Sequence, residues 1–66
     1  MLNPKFAKYI EGFREVYKKE LNVEPVMKDY VFNGWFDVKD KKFINFYKIG
    51  KKHARRIVDG IKKEQA

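Results

Sequence analysis

A chain of 66 residues without a cysteine has to be held together by packing alone, because no disulfide can offset its small core. Its single histidine, His53, cannot form a structural zinc site by itself. Large side chains are plentiful: six Phe, four Tyr and one Trp make up 17% of the sequence. We therefore expect one small domain over residues 1–66, with an aromatic core, no metal and no cofactor.

The residue types that usually carry covalent catalysis are missing. The sequence contains no Ser, Thr or Cys, so the common hydroxyl and thiol nucleophiles are absent. The four glycines stand apart at Gly12, Gly34, Gly50 and Gly60, and such spacing does not form a phosphate-binding loop. We do not expect an enzyme.

Hydropathy predicts no membrane anchor. The longest apolar runs are a few residues, whereas a spanning helix needs ~20. The first residues lack the apolar centre of a secretory signal. We therefore expect a cytoplasmic protein with no membrane partner.

Charge is segregated along the chain. Residues 1–38 carry six basic and six acidic groups, whereas residues 39–63 carry ten basic groups against Asp40 and Asp59. The formal net charge of +7 therefore belongs to the second half. This asymmetry is typical of a module that binds a polyanion such as nucleic acid. The alternative is a solvated lysine face that only maintains solubility.

The first segment predicts an amphipathic helix over residues 3–21. Asn3 can cap the free amides and Pro4 suits the first helical position. Apolar residues then recur at steps of three and four, which predicts one buried face. Asn22 can close this helix, and Pro25 opposes its continuation.

Residues 26–38 predict a β-hairpin, because Asn33-Gly34 between aromatic and β-branched residues favours a two-residue turn. One strand face, the core face, would carry Met27, Val31, Phe36 and Val38. The other would carry Tyr30, Phe32 and Trp35 as a partner-binding or stacking surface, or as a second core patch against the first helix. A helix ending at Asn33-Gly34 is the competing assignment.

The last segment predicts a helix-turn-helix, with helices at 41–49 and 51–63 around a turn at Ile49-Gly50. Asp40 would cap the first helix, and Ala54 would let the two approach closely. The second helix would enter the major groove, with Arg55 and Arg56 reading bases and lysines holding the phosphates. The predicted DNA-binding residues are Lys48, Lys51, Lys52, Arg55, Arg56, Asp59 and Lys63. The predicted fold class is thus α+β, with an all-α three-helix fold as the alternative.

Residues 38–57 resemble the helix-turn-helix of small excisionases from conjugative transposons and phages. The resemblance is carried by the paired aromatics Phe46-Tyr47, then Lys48-Ile49-Gly50, then Ala54-Arg55-Arg56-Ile57. It implies a winged, MerR-like fold that binds and bends DNA so that an integrase excises the mobile element. It also implies that Lys52, Arg55 and Arg56 face the groove.

The functional expectation is a sequence-preferring double-stranded DNA-binding protein of a mobile element or phage, either excisionase-like or a small transcriptional regulator. A single motif of this size gains specificity as a dimer or by cooperative binding to repeated sites. One alternative is a small interaction or inhibitor protein that binds an integrase or another protein partner through the aromatic hairpin. Another is single-stranded nucleic-acid binding, with that hairpin as a stacking platform.

Overall fold

The fold is all-α in the computed structural model, which describes residues 3–38, 42 and 45–65. The helical elements are α1 (Pro4–Leu21), α2 (Met27–Tyr30), a π-helical segment (Val31–Trp35), α3 (Phe36–Val38) and α4 (Phe46–Gln65). We call residues 27–38 the middle helix. No strand occurs in the described part of the chain. The all-α alternative is therefore confirmed, and the α+β fold is wrong.

Helix α1 forms as the sequence predicts. The Asn3 side chain accepts a hydrogen bond from the Lys5 N–H at 2.8 Å, and Pro4 occupies the first turn. At the other end Asn22 adopts a left-handed conformation with φ of 57°, and its N–H donates to the Lys18 carbonyl at 2.8 Å. Both ends are thus capped by residues that the sequence indicates.

The hairpin prediction for residues 26–38 is wrong, because this segment is helical. The Asp29 carboxylate accepts from the Val26 N–H at 3.0 Å and so caps the start of the middle helix. Gly34 does take the positive φ that Asn33-Gly34 indicates, at 118°, but it lies within the π-helical segment rather than in a hairpin turn. The two-residue turn requires a positive φ at both Asn33 and Gly34, and only Gly34 has one. The Asn-Gly signal is therefore confirmed for the backbone angle of Gly34 and wrong for the surrounding structure.

The predicted faces of the hairpin are exchanged in the helix. Tyr30 and Trp35 are buried, with 5% and 8% of their surface exposed, and the Trp35 ring centroid lies 4.7 Å from that of Phe6. Met27 and Phe36, predicted in the core, are more than half exposed, whereas Val38 is buried as expected. Helical geometry brings two of the four large aromatics of the middle helix, Tyr30 and Trp35, onto α1, which buries their apolar surface.

The predicted helix-turn-helix does not form, because α4 continues unbroken through Ile49 and Gly50. Gly50 instead lies where α4 crosses α1. A Cβ at Gly50 would overlap the Tyr9 carbonyl, and one at Gly12 would overlap the Tyr47 carbonyl. The glycine thus permits close helix approach and makes no turn.

Asn45 caps α4, since its side chain accepts from the Lys48 N–H at 3.1 Å. The predicted cap at Asp40 and the predicted helix start at Lys41 lie outside the described residues.

The two long helices run in the same direction. Lys5 Nζ lies 5.9 Å from the Phe46 ring centroid at one end, and Glu20 contacts Lys62 at the other. The middle helix covers the groove between them, and the molecule measures 38 × 19 × 17 Å. The core cluster comprises Phe6, Tyr9, Phe13, Val16, Tyr30, Trp35, Val38, Phe46 and Ala54. Within the described ranges, no helix has the length and apolar content needed to cross a membrane.

Candidate nucleic-acid interface

All seven predicted DNA-binding residues lie on α4, in one uninterrupted helix. Its orientation is fixed by a buried face made of Phe46, Gly50, Ala54 and Val58. The charged side chains lie on the remaining surface and separate into two rows according to their ion pairs. This separation decides which cations are available to a ligand.

The first row lies next to α1 and is neutralised by it. Lys51 Nζ lies 3.8 Å from Glu15, Arg55 lies 3.3 Å from Glu20, and Lys62 Nζ lies 2.6 Å from Glu20. We call Lys51, Arg55 and Lys62 the paired row. Arg55, predicted to read bases, is also 3.9 Å from Asp59, the one acidic residue among the predicted DNA contacts.

Glu20 is the principal acceptor for the paired row. Hydrogen bonding and charge from Lys62, followed by the Arg55 hydrogen bond, lower the pKa of this carboxyl. Glu20 therefore stays ionised, and it holds two α4 cations against the α1 surface.

The second row faces away from α1. Lys48, Lys52, Arg56 and Lys63 are exposed, and none forms an ion pair with another described residue. At about 100° per residue, these four positions fall within about 80° of the helix circumference and extend over about 22 Å. We call them the unpaired row. It is a cationic stripe on the outer face of α4, interrupted by the exposed Asp59, which falls in the same sector between Arg56 and Lys63.

A pocket of about 260 Å³ adjoins the unpaired row where α4 meets the middle helix. It is lined by Phe32, Gly34, Asp37, His53, Arg56 and Ile57. Arg56 belongs to both the stripe and the pocket. Gly34 is required here, since a Cβ would lie 2.6 Å from His53 Cε1 and its φ of 118° disfavours other residues.

His53 is anchored at this pocket by a buried tyrosine. The Tyr9 hydroxyl and His53 Nδ1 form a hydrogen bond of 2.6 Å, although the residues are 44 positions apart. Burial lowers the pKa of His53, as do the charges of Arg56 and Lys52, whereas Asp37 opposes that change. Burial also raises the pKa of Tyr9, with a smaller contribution from Asp37. Both groups are therefore neutral near pH 7.

The aromatic surface predicted from the sequence is not assembled. Tyr30 and Trp35 belong to the core, and only Phe32, with 86% of its surface exposed, is available to a ligand. The three-ring stacking platform is therefore wrong, and one aromatic ring remains beside the pocket. The interpretation of Tyr30 and Trp35 as a core patch against α1 is confirmed.

Sequence reasoning assigned no role to His53 and did not single out Tyr9 or Asp37. No local pattern indicates the Tyr9–His53 pair, because the two residues meet only after α1 and α4 pack together. Gly34 did carry a signal, since Asn33-Gly34 indicates a positive φ.

Comparison of this chain with protein-family models, with curated proteins and with solved structures gives no match. The resemblance to excisionases therefore stays a prediction. The turn at Ile49-Gly50, on which that resemblance depends, is replaced by continuous helix.

Proposed function

We propose that this protein binds nucleic acid through the unpaired row of α4, with double-stranded DNA as its principal ligand. The observation that carries the proposal is the division of the α4 cations into two rows. Four side chains with no ion pair among the described residues share one outward sector, while α1 carboxylates engage the others. A cation without a carboxylate partner can bind a phosphate without first breaking an ion pair.

The geometry of the stripe suits a phosphate backbone. Its length of about 22 Å exceeds the width of the major groove, which is about 12 Å, so its two ends can reach phosphates on both sides of the groove. Lys48 and Lys63 lie at those ends. Lys52 and Arg56 lie between them, nearer to the groove itself.

In this arrangement we expect Arg56 alone to contact base edges, and not Arg55. Arg55 is held by Glu20 at 3.3 Å and lies near Asp59, whereas Arg56 is exposed and forms no ion pair with a described residue. A guanidinium can bind guanine through two hydrogen bonds. One such residue gives a sequence preference and leaves most of the affinity to phosphate contacts, so we expect a steep salt dependence.

The test is a fluorescence-anisotropy titration of a labelled random duplex across a salt series. If all four cations contact phosphates, the logarithm of the association constant falls by about 3.6 per decade of salt. Substituting Lys52→Gln together with Arg56→Gln should reduce that slope by about 1.8 and weaken binding at low salt.

The matched control is Lys19→Gln together with Lys28→Gln. It removes the same charge from two exposed lysines outside α4 that form no ion pair with another described residue. This pair should change the slope little. Equal losses in the two double variants would show that net charge, and not the unpaired row, causes binding.

A second candidate function is the binding of a protein partner. It is favoured by exposed apolar side chains on and before the middle helix, where Phe32 is 86% exposed and Val26 and Met27 are each 53% exposed. The same titration, repeated with a labelled single strand, separates the two functions. If neither duplex nor single strand binds at low salt, nucleic-acid binding is wrong and the apolar surface becomes the candidate site.

A further inference from the structure

The pocket beside Arg56 is bounded by chemically different walls. The middle helix contributes the Phe32 ring and the Asp37 carboxylate, while α4 contributes the His53 imidazole and the Arg56 guanidinium. Asp37 can thus accept hydrogen bonds from a ligand, Arg56 can bind an anionic group, and Phe32 offers an exposed aromatic ring at the edge of the pocket. Neither Asp37 nor Arg56 forms an ion pair with a described residue, so both remain open to a ligand.

The backbone around the pocket is specialised. Five residues of the middle helix, Val31–Trp35, adopt π-helical geometry, which occurs frequently at functional sites. Gly34 within this segment has a φ of 118° and leaves the space that the His53 ring occupies. The hydrogen bond from Tyr9 then fixes that ring in place. The pocket is therefore preformed by three elements rather than left by loose packing.

The volume of the pocket limits the size of a ligand. A volume of about 260 Å³ corresponds to about nine water molecules at ~30 Å³ each. It lies just below the 300–1,000 Å³ typical of sites for drug-sized ligands. One heterocyclic ring system fits this space, whereas a larger ligand would extend beyond it.

We infer that this pocket binds a single unpaired nucleobase, while the phosphates flanking that base lie on the unpaired row. The inference rests on the proposed function and extends it from the phosphate backbone to a base. The base stacks on Phe32, as unpaired bases stack on exposed aromatic rings. On a duplex with an unpaired base, the Arg56 guanidinium, shared by pocket and stripe, binds the phosphate next to that base rather than a guanine edge.

The Asp37 carboxylate gives the pocket a preference among bases. An ionised carboxylate only accepts hydrogen bonds, and acidic side chains accept from the exocyclic amino group of cytosine. Thymine presents a carbonyl oxygen at the corresponding position, which a carboxylate repels. Unpaired cytosine therefore binds more tightly than unpaired thymine.

The experiment compares three labelled duplexes of equal length by anisotropy: fully paired, with one unpaired cytosine, and with one unpaired thymine. The wild-type protein should bind the cytosine bulge about tenfold more tightly than the paired duplex, which is the usual scale of one base–aromatic stacking contact. The Phe32→Ala variant should lose that gain. Phe36→Ala is the control, because Phe36 is also an exposed aromatic of the middle helix but does not line the pocket.

A fourth protein, Asp37→Asn, tests the base preference, since an amide can donate to the thymine carbonyl. It should reduce the difference between the cytosine and thymine bulges. Equal affinity of the wild-type protein for bulged and paired duplexes would overturn the base pocket. The proposed function would remain intact in that case if the double variant Lys52→Gln with Arg56→Gln still binds the paired duplex more weakly than the wild type. Absence of binding to all three duplexes at low salt would overturn both.

Discussion

The buried face of α4 carries small side chains from Gly50 to Val58, and the opposite face carries some of the longest side chains of the helix. Gly50, Ala54 and Val58 are buried at successive steps of four residues, whereas Lys48, Lys52 and Arg56 follow the same spacing on the outer face. The buried face brings α4 against the backbone of α1, and the outer face extends charge into solvent. One periodicity therefore serves both packing and the proposed binding.

The two faces differ in how much change they can tolerate. At Gly50 the contact is made with backbone atoms of α1, which have no side-chain rotamer through which to move aside. The lysines of the outer face are exposed, so their substitution should affect binding far more than stability.

The largest effect is expected from Gly50→Ala. The new Cβ would overlap the Tyr9 carbonyl and crowd the Phe13 N–H, so α1 and α4 must separate. Overpacking of this kind costs about 1–3 kcal/mol, a large share of the roughly 3–10 kcal/mol expected for a domain of this length. Urea denaturation followed by circular dichroism should show the loss.

Gly60→Ala is the matched control in the same helix. A Cβ at Gly60 meets nothing within 4 Å, so only helix propensity changes, and the variant should be stabilised by about 0.5–1 kcal/mol. The same substitution ten positions apart should thus have opposite signs. If Gly50→Ala also stabilises the protein, the close crossing of α1 and α4 is wrong.

The glycines also show how far sequence could predict this fold. The ends of α1 were predictable because Asn3, Pro4 and Asn22 act locally. The role of Gly50 was not predictable, because a glycine at this position is compatible with a turn and equally with a close crossing of two helices. The α1 backbone at Tyr9 and Phe13, which lies against Gly50 in the folded protein, decides between them. That choice depends on tertiary structure and leaves no local pattern.

The candidate site, like the fold, was predictable from sequence only where its features are local. A charge count placed ten basic residues in the segment 39–63, and seven of these lie on α4. It could not divide them into two rows, because the division depends on Glu15 and Glu20 of α1. The pocket was not predictable, since its His53 wall is fixed by Tyr9. Asn33-Gly34 favoured a hairpin locally, but the burial of Tyr30 and Trp35 against α1 overrode that preference.

A smaller effect on the free energy of unfolding is expected from a change of pH. The group responsible is His53, which lies on α4 at the edge between its buried and outer faces. Because its pKa is lowered in the folded protein, the unfolded chain binds more protons than the folded one between that value and about 6.5. The free energy of unfolding should therefore be fully maintained at pH 7 and fall as the pH is lowered toward 5. The groups around the imidazole are Tyr9, Asp37, Arg56 and Lys52.

The measurement is urea denaturation at several pH values for wild-type protein and His53→Gln. The variant cannot titrate in this range, so its stability should vary less between pH 7 and 5. The lowered pKa values of Glu20 and Glu24 act in a separate window, because the stability they contribute is lost only as the pH falls below about 4.3. Identical pH profiles for the two proteins would mean that His53 does not couple protonation to folding.

The smallest effect is expected from Glu20→Gln, which converts part of the paired row into an unpaired one. It releases Arg55 and Lys62, whose partners on α1 are this one carboxylate, and it should cost little stability because exposed ion pairs contribute little. Duplex affinity should rise a few-fold, and the salt slope should steepen by up to about 1.8 as two more cations reach phosphates. Glu24→Gln is the matched control, since Glu24 also holds two cations, Arg14 and Lys18, but both lie on α1. If the two variants steepen the slope equally, any released cation is sufficient, and the outer face of α4 has no special role.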